Sequence, residues 1–504
     1  MNIKRLFIFV VLLLSLVILS VTLRGAYGNP QVEEFKNNLD QATKPFELSP
    51  ERGRFLLTMN LSEHKSFALN QEYADAVYPD VGWYNGKFFI YFAPGISVLV
   101  LPFYELGKLF NLSQVFTYFV VVLFGIANMA LLYYIARRIL KFAMWSSLLV
   151  PLIFMFGSIS WGYATTLYQH HFTAFCLFSG FVAVYKFRQQ GRLSWLWAIY
   201  VGLAYGASIF FDLPNAILLL PVPIYLILSA FNFESLGQSL RVHFRTAAAL
   251  SGIVFVMFLA LQGYYNNHYF GHWSRLSHGL LNYKQIVDTG GIENSNLVKE
   301  QDYYPAQYFH EQRLPQGISV LFFSIDRGLF VYSPIFLLAL IGMYLAFKDG
   351  GLERFMLISI PVVHGLVYAS WADPWGGWAF GPRYLIPAIG ILALFVVYVL
   401  DKWPSFKVKL ITFVLFLFSS AVAAIGAVTS NAAPPKKEAI FLEADWGFKF
   451  NLKFFPENQS SSFVYNNFLS EYISLAVFTL MLLALLFIIA GTILFVMPKY
   501  ESES

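Results

Sequence analysis

The sequence predicts an all-α polytopic membrane protein with about twelve transmembrane helices and a long first extracytoplasmic loop. Three observations predict it. Hydrophobic residues make up 58% of the 504-residue chain and charged residues only 12%, against roughly 25% charged in a soluble domain. The apolar residues fall in blocks of about 17 to 25, the length that crosses a hydrocarbon core. Lys and Arg gather in alternate short loops between those blocks, the positive-inside arrangement. Long apolar runs, without the roughly ten-residue alternating segments of an outer-membrane barrel, exclude that fold.

Residues 1–24 open with Lys4 and Arg5 and run on through apolar Leu6 to Leu23. A signal peptide is the competing reading, since Gly25-Ala26-Tyr27-Gly28 supplies small residues. The apolar run exceeds the roughly 7–15 residues of a signal core, so it reads as a retained first helix with a cytoplasmic N-terminus. The first extracytoplasmic loop then occupies residues 25–113. Its last part, 93–109, is apolar but broken by Pro94, Gly95 and Pro102, and reads as an amphipathic or re-entrant segment at the outer surface, with a full span as the alternative.

A membrane core is expected over 114–400 and C-terminal helices with an outer loop over 401–504. The spans fall near 114–135, 142–163, 169–185, 194–211, 214–231, 246–265, 329–347, 355–371, 384–400, 410–429 and 472–497. Alternation from a cytoplasmic N-terminus puts Lys186, Arg188, Arg192, Arg241, Arg245, Lys348, Arg354, Lys402, Lys407, Lys409 and Lys499 inside. The outer face receives the first loop, 266–328, 371–383 and 430–470, so chemistry is expected there. Asp212 falls at an outer hairpin, Phe211-Asp212-Leu213-Pro214, where proline ends one helix and starts the next.

The formal charge of +5 is small, and no dense basic run or nucleic-acid motif appears, so no nucleic-acid partner is expected. The single cysteine, Cys176, lies in an apolar stretch. It allows no internal disulfide and no Cys-based metal site, and packing is its expected role. Aromatic residues at 19% suit interfacial belts.

The first loop holds two candidate general bases. In Glu51-Arg52-Gly53-Arg54-Phe55, after Pro50, an acid and a base stand three apart at a helix start. Glu51 there either stabilises the helix N-terminus or takes a proton from an acceptor hydroxyl. Asp80, in Tyr78-Pro79-Asp80-Val81, is either a turn residue or the second base candidate. Tyr84-Asn85-Gly86-Lys87 reads as a structural hairpin turn. His170 and His171 lie at the outer end of a span; neighbours in a helix point about 100° apart, which favours packing over joint metal binding. No HExxH, HxxxH or Asp-rich metal spacing occurs.

Arg327, in Asp326-Arg327-Gly328, and Arg383 each stand just before a span on the outer face. Both can reach the outer boundary, where a pair of guanidiniums suits a phosphate; interfacial anchoring is the plainer role. The stretch Trp371-Ala372-Asp373-Pro374-Trp375-Gly376-Gly377-Trp378-Ala379-Phe380-Gly381-Pro382-Arg383-Tyr384 offers stacking platforms, with Trp375 and Trp378 beside glycines that allow close backbone approach. Sugars stack on tryptophan through their C–H faces, and interfacial belts use tryptophan too.

An ordered set of blocks from about 50 to 390 resembles bacterial membrane glycosyltransferases of the GT-C fold: protein mannosyltransferases, aminoarabinose transferases and RgtA-type transferases. The blocks are Arg54-Phe55…Leu57-Thr58, Tyr84-Asn85-Gly86-Lys87-Phe88-Phe89, Ala93-Pro94-Gly95…Leu101-Pro102-Phe103-Tyr104, Phe211-Asp212-Leu213-Pro214, Arg327-Gly328-Leu329-Phe330-Val331-Tyr332-Ser333-Pro334 and Trp375-Gly376-Gly377…Phe380-Gly381-Pro382-Arg383-Tyr384-Leu385. The resemblance implies a polyprenyl-phosphate-linked sugar donor and inverting transfer on the non-cytoplasmic face. It places the base at Glu51, where Glu51-x-x-Arg54-Phe55 matches an Asp-x-x-Arg-Tyr pattern with Glu for Asp. Many relatives carry Asp-Lys or Glu-Lys just before the Ala-Pro-Gly block. Tyr91-Phe92 stands there instead, which moves the phosphate-binding charge to Arg327 and Arg383.

The expected protein is therefore a GT-C-like glycosyltransferase, moving a sugar from the lipid-linked donor to a cell-envelope lipid, glycan or protein. Its expected location is the bacterial plasma membrane, with both termini cytoplasmic and membrane lipids around it. The expected catalytic residues are Glu51 and Asp80. Arg54, Tyr91, His170, His171, Asp212, Arg327, Trp375, Trp378, Arg383 and Tyr384 are expected to bind substrate, and a divalent metal is left open. The rival class is a transporter or flippase of lipid-linked glycans, which would want charges at mid-membrane; a polymerase of such glycans is the third reading.

Overall fold

The computed structural model describes residues 3–36, 46, 48–189, 191–236, 239–284 and 308–498. Lys499, the stretch 285–307 of the outer loop and the side chains of Lys4, Arg5 and Arg241 lie outside the described residues. The chain is a polytopic helical membrane protein. Among the described residues, seven helices are long and apolar enough to cross a membrane: Ser113–Ile139, Ser194–Phe211, Thr246–Phe270, Leu352–Ala369, Arg383–Lys402, Phe406–Val428 and Leu475–Val496. Shorter apolar helices cover Leu6–Val21, Met144–Phe156 and Asn215–Ala230. Helices His170–Arg188 and Leu337–Asp349 fall where two further spans are expected.

Several expected spans are broken for local reasons. The 142–163 span stops at Phe156, and a separate turn, Ser160–Tyr163, follows Gly157. The 214–231 span divides into Asn215–Leu218 and Pro221–Ala230, because Pro221 cannot continue a helical hydrogen-bond ladder. Pro334 likewise separates Leu329–Tyr332 from Leu337–Asp349. The apolar 93–109 segment is a helix, Gly95–Leu109, with Pro102 inside it.

Helix Ile386–Lys402 is the centre of the core. Every residue from Ile386 to Leu400 is buried, against Leu337–Asp349, Met144–Phe156, His170–Arg188 and Leu352–Ala369. The basic residues gather at one end of this bundle. Arg188 pairs with Glu353, Lys402 lies 2.7 Å from Asp349, and Arg245 lies over the Phe187 ring.

The opposite end carries helix Ser49–His64, helix Gln71–Val77 and a small antiparallel sheet. Strands β1 (Val81–Tyr84) and β2 (Lys87–Ile90) form the expected hairpin, with Tyr84 opposite Lys87. Asn85 and Gly86 both have positive φ, the conformation that the Asn-Gly turn supplies. A separate hairpin of β3 (Phe231–Leu236) and β4 (Ser239–Phe244) lies between two spans. Strand β5 (Leu281–Asn282), from the 266–328 loop, pairs with β1 on its other edge. The Ala93-Pro94-Gly95 turn docks on the end of helix Ser194–Phe211. A Cβ on Gly95 would lie 2.4 Å from the Phe210 carbonyl oxygen, so only glycine permits this approach.

Candidate active site

At the end of the bundle away from the basic cluster, the helix termini surround a cavity of about 370 Å³. Its charged walls come from distant parts of the sequence. Helix Ser49–His64 supplies Arg54, the turn after Ser194–Phe211 supplies Asp212, and the entrance to Ile386–Lys402 supplies Arg383. Gln169 and His278 are the other polar walls, and the aromatic lining includes Phe92, Tyr168, Tyr308, Tyr368, Trp371 and Tyr384.

Arg383 sits among rings. Its guanidinium carbon lies 5.3 Å from the centroid of Tyr168 and 5.6 Å from that of Tyr384. Tyr384 in turn stacks on Tyr368 at 4.5 Å and 4°. Nε and Nη1 of Arg383 are buried with no hydrogen-bond partner among the described residues. Buried, unmatched donors of a permanent cation are costly, and the cost is relieved by an anion that fills the cavity.

Arg54 is 1% exposed and held from two sides. Its Nη1 donates to the Pro50 carbonyl at 2.9 Å, and the guanidinium lies 4.7 Å from the Phe92 ring centroid. Its Nε has no partner among the described residues. Burial lowers its pKa to about 10, with Asp212 the largest opposing influence. Arg54 stays charged at neutral pH and adds to the positive wall.

Asp212 closes helix Ser194–Phe211, its N–H donating to the Ser208 carbonyl at 3.0 Å. Asn215 pins the turn by donating to the Ser208 carbonyl and to Thr173 Oγ1. Oδ2 of Asp212 accepts a 3.1 Å hydrogen bond from Gln169 Nε2, while Gln169 Oε1 is buried and unpartnered among the described residues. Burial raises the Asp212 carboxyl above its ordinary range, against the pull of Arg54, Gln169 and Arg383. Among the described residues, it is the carboxylate that lines the cavity.

The two carboxylates singled out as bases lie behind this wall. Glu51 is fully buried; Oε1 accepts from the Leu48 N–H at 3.1 Å, and Oε2 accepts from Thr166 Oγ1. That is the helix-start role weighed for it from sequence. Asp80 accepts from Ser49 Oγ. Burial raises its carboxyl too, with Ser49, Arg383, Arg52 and Arg54 opposing, so it faces the same cationic pair.

The other sequence-selected residues divide. Tyr384, Arg383, Arg54 and Asp212 meet in the cavity. Tyr91 stands one layer back, stacked on His278 at 5.5 Å. His170 stacks on Tyr168 at 5.8 Å, behind the ring that faces Arg383. His171 turns away, its Nε2 lying 3.0 Å from the Ser160 carbonyl.

Arg327 is fully buried outside the cavity and donates to four carbonyls: Trp375 at 3.1 Å, Asp326 at 2.8 Å, Gly377 at 3.0 Å and Ala433 at 2.7 Å. It staples the Trp-Gly-rich loop, outside the cavity that Arg383 lines. Trp375 serves that staple. Trp378 donates its indole N–H to Glu438 at 2.6 Å and packs edge-on against Phe450. Trp371 is the tryptophan that lines the cavity, stacked on Tyr308 at 5.3 Å.

Sequence reasoning missed His278, Tyr308 and Gln169, and named Trp371 only within the stretch of stacking platforms. The pairing of β5 with β1 brings His278 in, and a bridge between Phe309 and Trp371 brings Tyr308. Neither has a local motif. Among the described residues no group of three or more His, Cys, Asp or Glu side chains could hold a metal ion.

No family model matches the chain, and no curated protein matches it in sequence. Among solved structures, the fold is similar to ArnT from Cupriavidus metallidurans bound to undecaprenyl phosphate. The identity is 13% and the TM-score 0.49, over 97% of this chain and 74% of that one. In the apo state of ArnT the TM-score is again 0.49, over 97% and 76%. The fold is also similar to the archaeal oligosaccharyltransferase AglB from Archaeoglobus fulgidus, in complex with an inhibitory peptide and a dolichol-phosphate. There the identity is 13% and the TM-score 0.47, over 94% of this chain and 61% of that one. Both are GT-C membrane glycosyltransferases, the group that the ordered sequence blocks resemble. At this identity and these TM-scores the likeness says nothing of chemistry; the residues of the cavity do.

Proposed function

We propose that the protein is a GT-C-type glycosyltransferase that moves a sugar from a polyprenyl-phosphate donor to a cell-envelope acceptor on the extracytoplasmic face. One observation carries this reading: the Arg383 guanidinium, buried beside the cavity with two unmatched nitrogens, next to Arg54 and opposite Asp212. Such a wall fits a phosphate. A separate apolar cleft of about 240 Å³ is lined by Leu385, Gly365, Leu366, Phe322, Phe330 and Leu392 among others. Leu385 follows Tyr384 directly in the chain, and an apolar cleft suits the lipid tail of a phosphate at Arg383. The basic cluster at the far end of the bundle favours the cytoplasm there and the outside at the cavity.

In the proposed reaction the acceptor hydroxyl oxygen attacks the anomeric carbon while a carboxylate takes its proton. The bond from that carbon to the phosphate oxygen breaks, and the lipid phosphate leaves with the electron pair. Arg383 and Arg54 hold the charge that develops on it. Asp212 is the base that the geometry favours, since it lines the cavity and its raised proton affinity suits the task. Asp80 flanks the same arginines, and Glu51 remains the base that the resemblance implies.

The deciding experiment incubates purified protein with a panel of polyprenyl-phosphate sugars and a cell-envelope extract, and follows free lipid phosphate. Release that depends on Asp212 and Arg383 is expected. Flipping of the same lipids in reconstituted vesicles, with no release from any of them, would replace the transferase with a flippase.

A further inference from the structure

Two aromatic residues, Tyr91 and Phe92, stand where relatives of the resembled group carry an acid and a lysine. In this structure each is a seat for a polar group from elsewhere. Phe92 lies under the Arg54 guanidinium at 4.7 Å. Tyr91 lies under the His278 imidazole at 5.5 Å and 19°.

The second seat is built with care. The 277–280 segment is held against β1 by the pairs Gly82 with Asn282 and Trp83 with Leu281, and by Ser277 Oγ donating to the Tyr91 carbonyl at 2.9 Å. A Cβ on Gly82 would lie 2.8 Å from Leu280 Cβ and 2.9 Å from Tyr91 Cε1. Only glycine in β1 lets the segment come close enough to lay His278 on Tyr91. The ring then lines the cavity with Arg54 and Asp212, and its Nδ1 is buried without a partner among the described residues.

We propose that His278 reads the sugar of the donor, forming a hydrogen bond to one of its hydroxyls. This rests on the transferase reading above. A half-buried imidazole whose Nδ1 is buried and unmatched lacks a partner that a hydroxyl, which both donates and accepts, supplies. Burial, with the Arg54 charge in second place, pushes its pKa down to about 4, so at neutral pH the ring is uncharged and serves a hydroxyl better than a phosphate. It lines the same cavity as Arg54 and Arg383.

The test measures binding of two probes in nanodiscs: a polyprenyl phosphate, and the same lipid phosphate carrying each of several hexoses or pentoses. The wild type is expected to bind at least one glycosylated lipid more tightly than the bare one. His278→Phe keeps the stack on Tyr91 and removes both ring nitrogens. It is expected to lower affinity for that glycosylated lipid about five- to tenfold, the scale of one hydrogen bond, and to leave the bare lipid phosphate unchanged. His278→Gln, which restores a donor and an acceptor, is expected to recover part of the preference.

A His278→Phe protein that keeps the full preference overturns the inference and leaves the transferase reading standing. So does an equal loss for both lipids, which would make His278 a structural residue. A wild type that binds neither lipid overturns both.

Discussion

Arg327 and Arg383 look alike in the sequence, and the structure gives them opposite situations. Each precedes a membrane helix at the same end of the bundle. Arg327 spends four of its five N–H donors on backbone carbonyls and lies outside the cavity. Arg383 is held by rings, and its Nε and Nη1 keep no hydrogen-bond partner among the described residues. The first arrangement satisfies a loop; the second keeps a cation in reserve. The binding role proposed for Arg383 therefore rests on the type of neighbour, since carbonyls consume donors and aromatic faces do not.

The comparison can be sharpened first on the carboxylate opposite Arg383. Asp212→Asn preserves size and the contact with Gln169 but loses proton affinity, so turnover should fall by roughly 10²–10⁴. Initial rates on a responsive donor, with donor affinity measured alongside, check it. Burial raises the Asp212 pKa, and a base must be deprotonated to work. The rate should therefore fall as pH drops through a value above the ordinary carboxylate range, and the Asp212→Asn residual should lack that limb.

Next in size is the staple. Arg327→Ala leaves buried carbonyls without donors and should cost on the order of 3–5 kcal/mol of stability, read as thermal unfolding in detergent. An Arg327→Ala protein of normal stability but lost donor affinity would reverse the roles assigned to the two arginines.

Arg383→Ala should leave stability near that of the wild type and weaken donor-lipid binding by about 1.5–3 kcal/mol, or ten- to a hundredfold. Arg383→Lys keeps the charge but not the planar fork, so it should lose less. Nanodisc affinities for the three proteins rank them, and an unchanged Arg383→Ala would reduce the residue to an anchor.

The smallest effect is expected at Glu51. Glu51→Gln keeps an acceptor for the Leu48 N–H and should cost about 1 kcal/mol of stability, with turnover nearly intact. A collapse of turnover there, with Asp212→Asn still active, would return the base to Glu51.

The membrane helices were legible because a hydrocarbon core imposes one length and one composition. The cavity was legible only where a residue sits at a helix terminus. Asp212 is marked by its Phe-Asp-Leu-Pro turn, and Arg383 by the span that follows it. His278 and Tyr308 come from the 266–328 loop, whose placement depends on pairing with β1 and with Trp371. Long-range pairing of that kind leaves no local pattern. Trp378 shows the reverse error of emphasis: a Trp beside glycines suggests a sugar platform, yet its N–H is taken by Glu438. Glu51 occupies the position the resemblance assigns to a base, but its oxygens are engaged at the helix start and with Thr166.

The contact between Gly95 and the Phe210 carbonyl has a meaning beyond packing. Phe210 is two residues before Asp212, in the last turn of its helix. Gly95 thus acts as a gauge block: the bare backbone of one segment fixes how far the other advances toward the two arginines. A methyl group there would leave every reactive side chain in place chemically and set the carboxylate at the wrong range. The Ala-Pro-Gly block reads in sequence as a break in an apolar segment; in three dimensions it is a spacer for an acid on another helix.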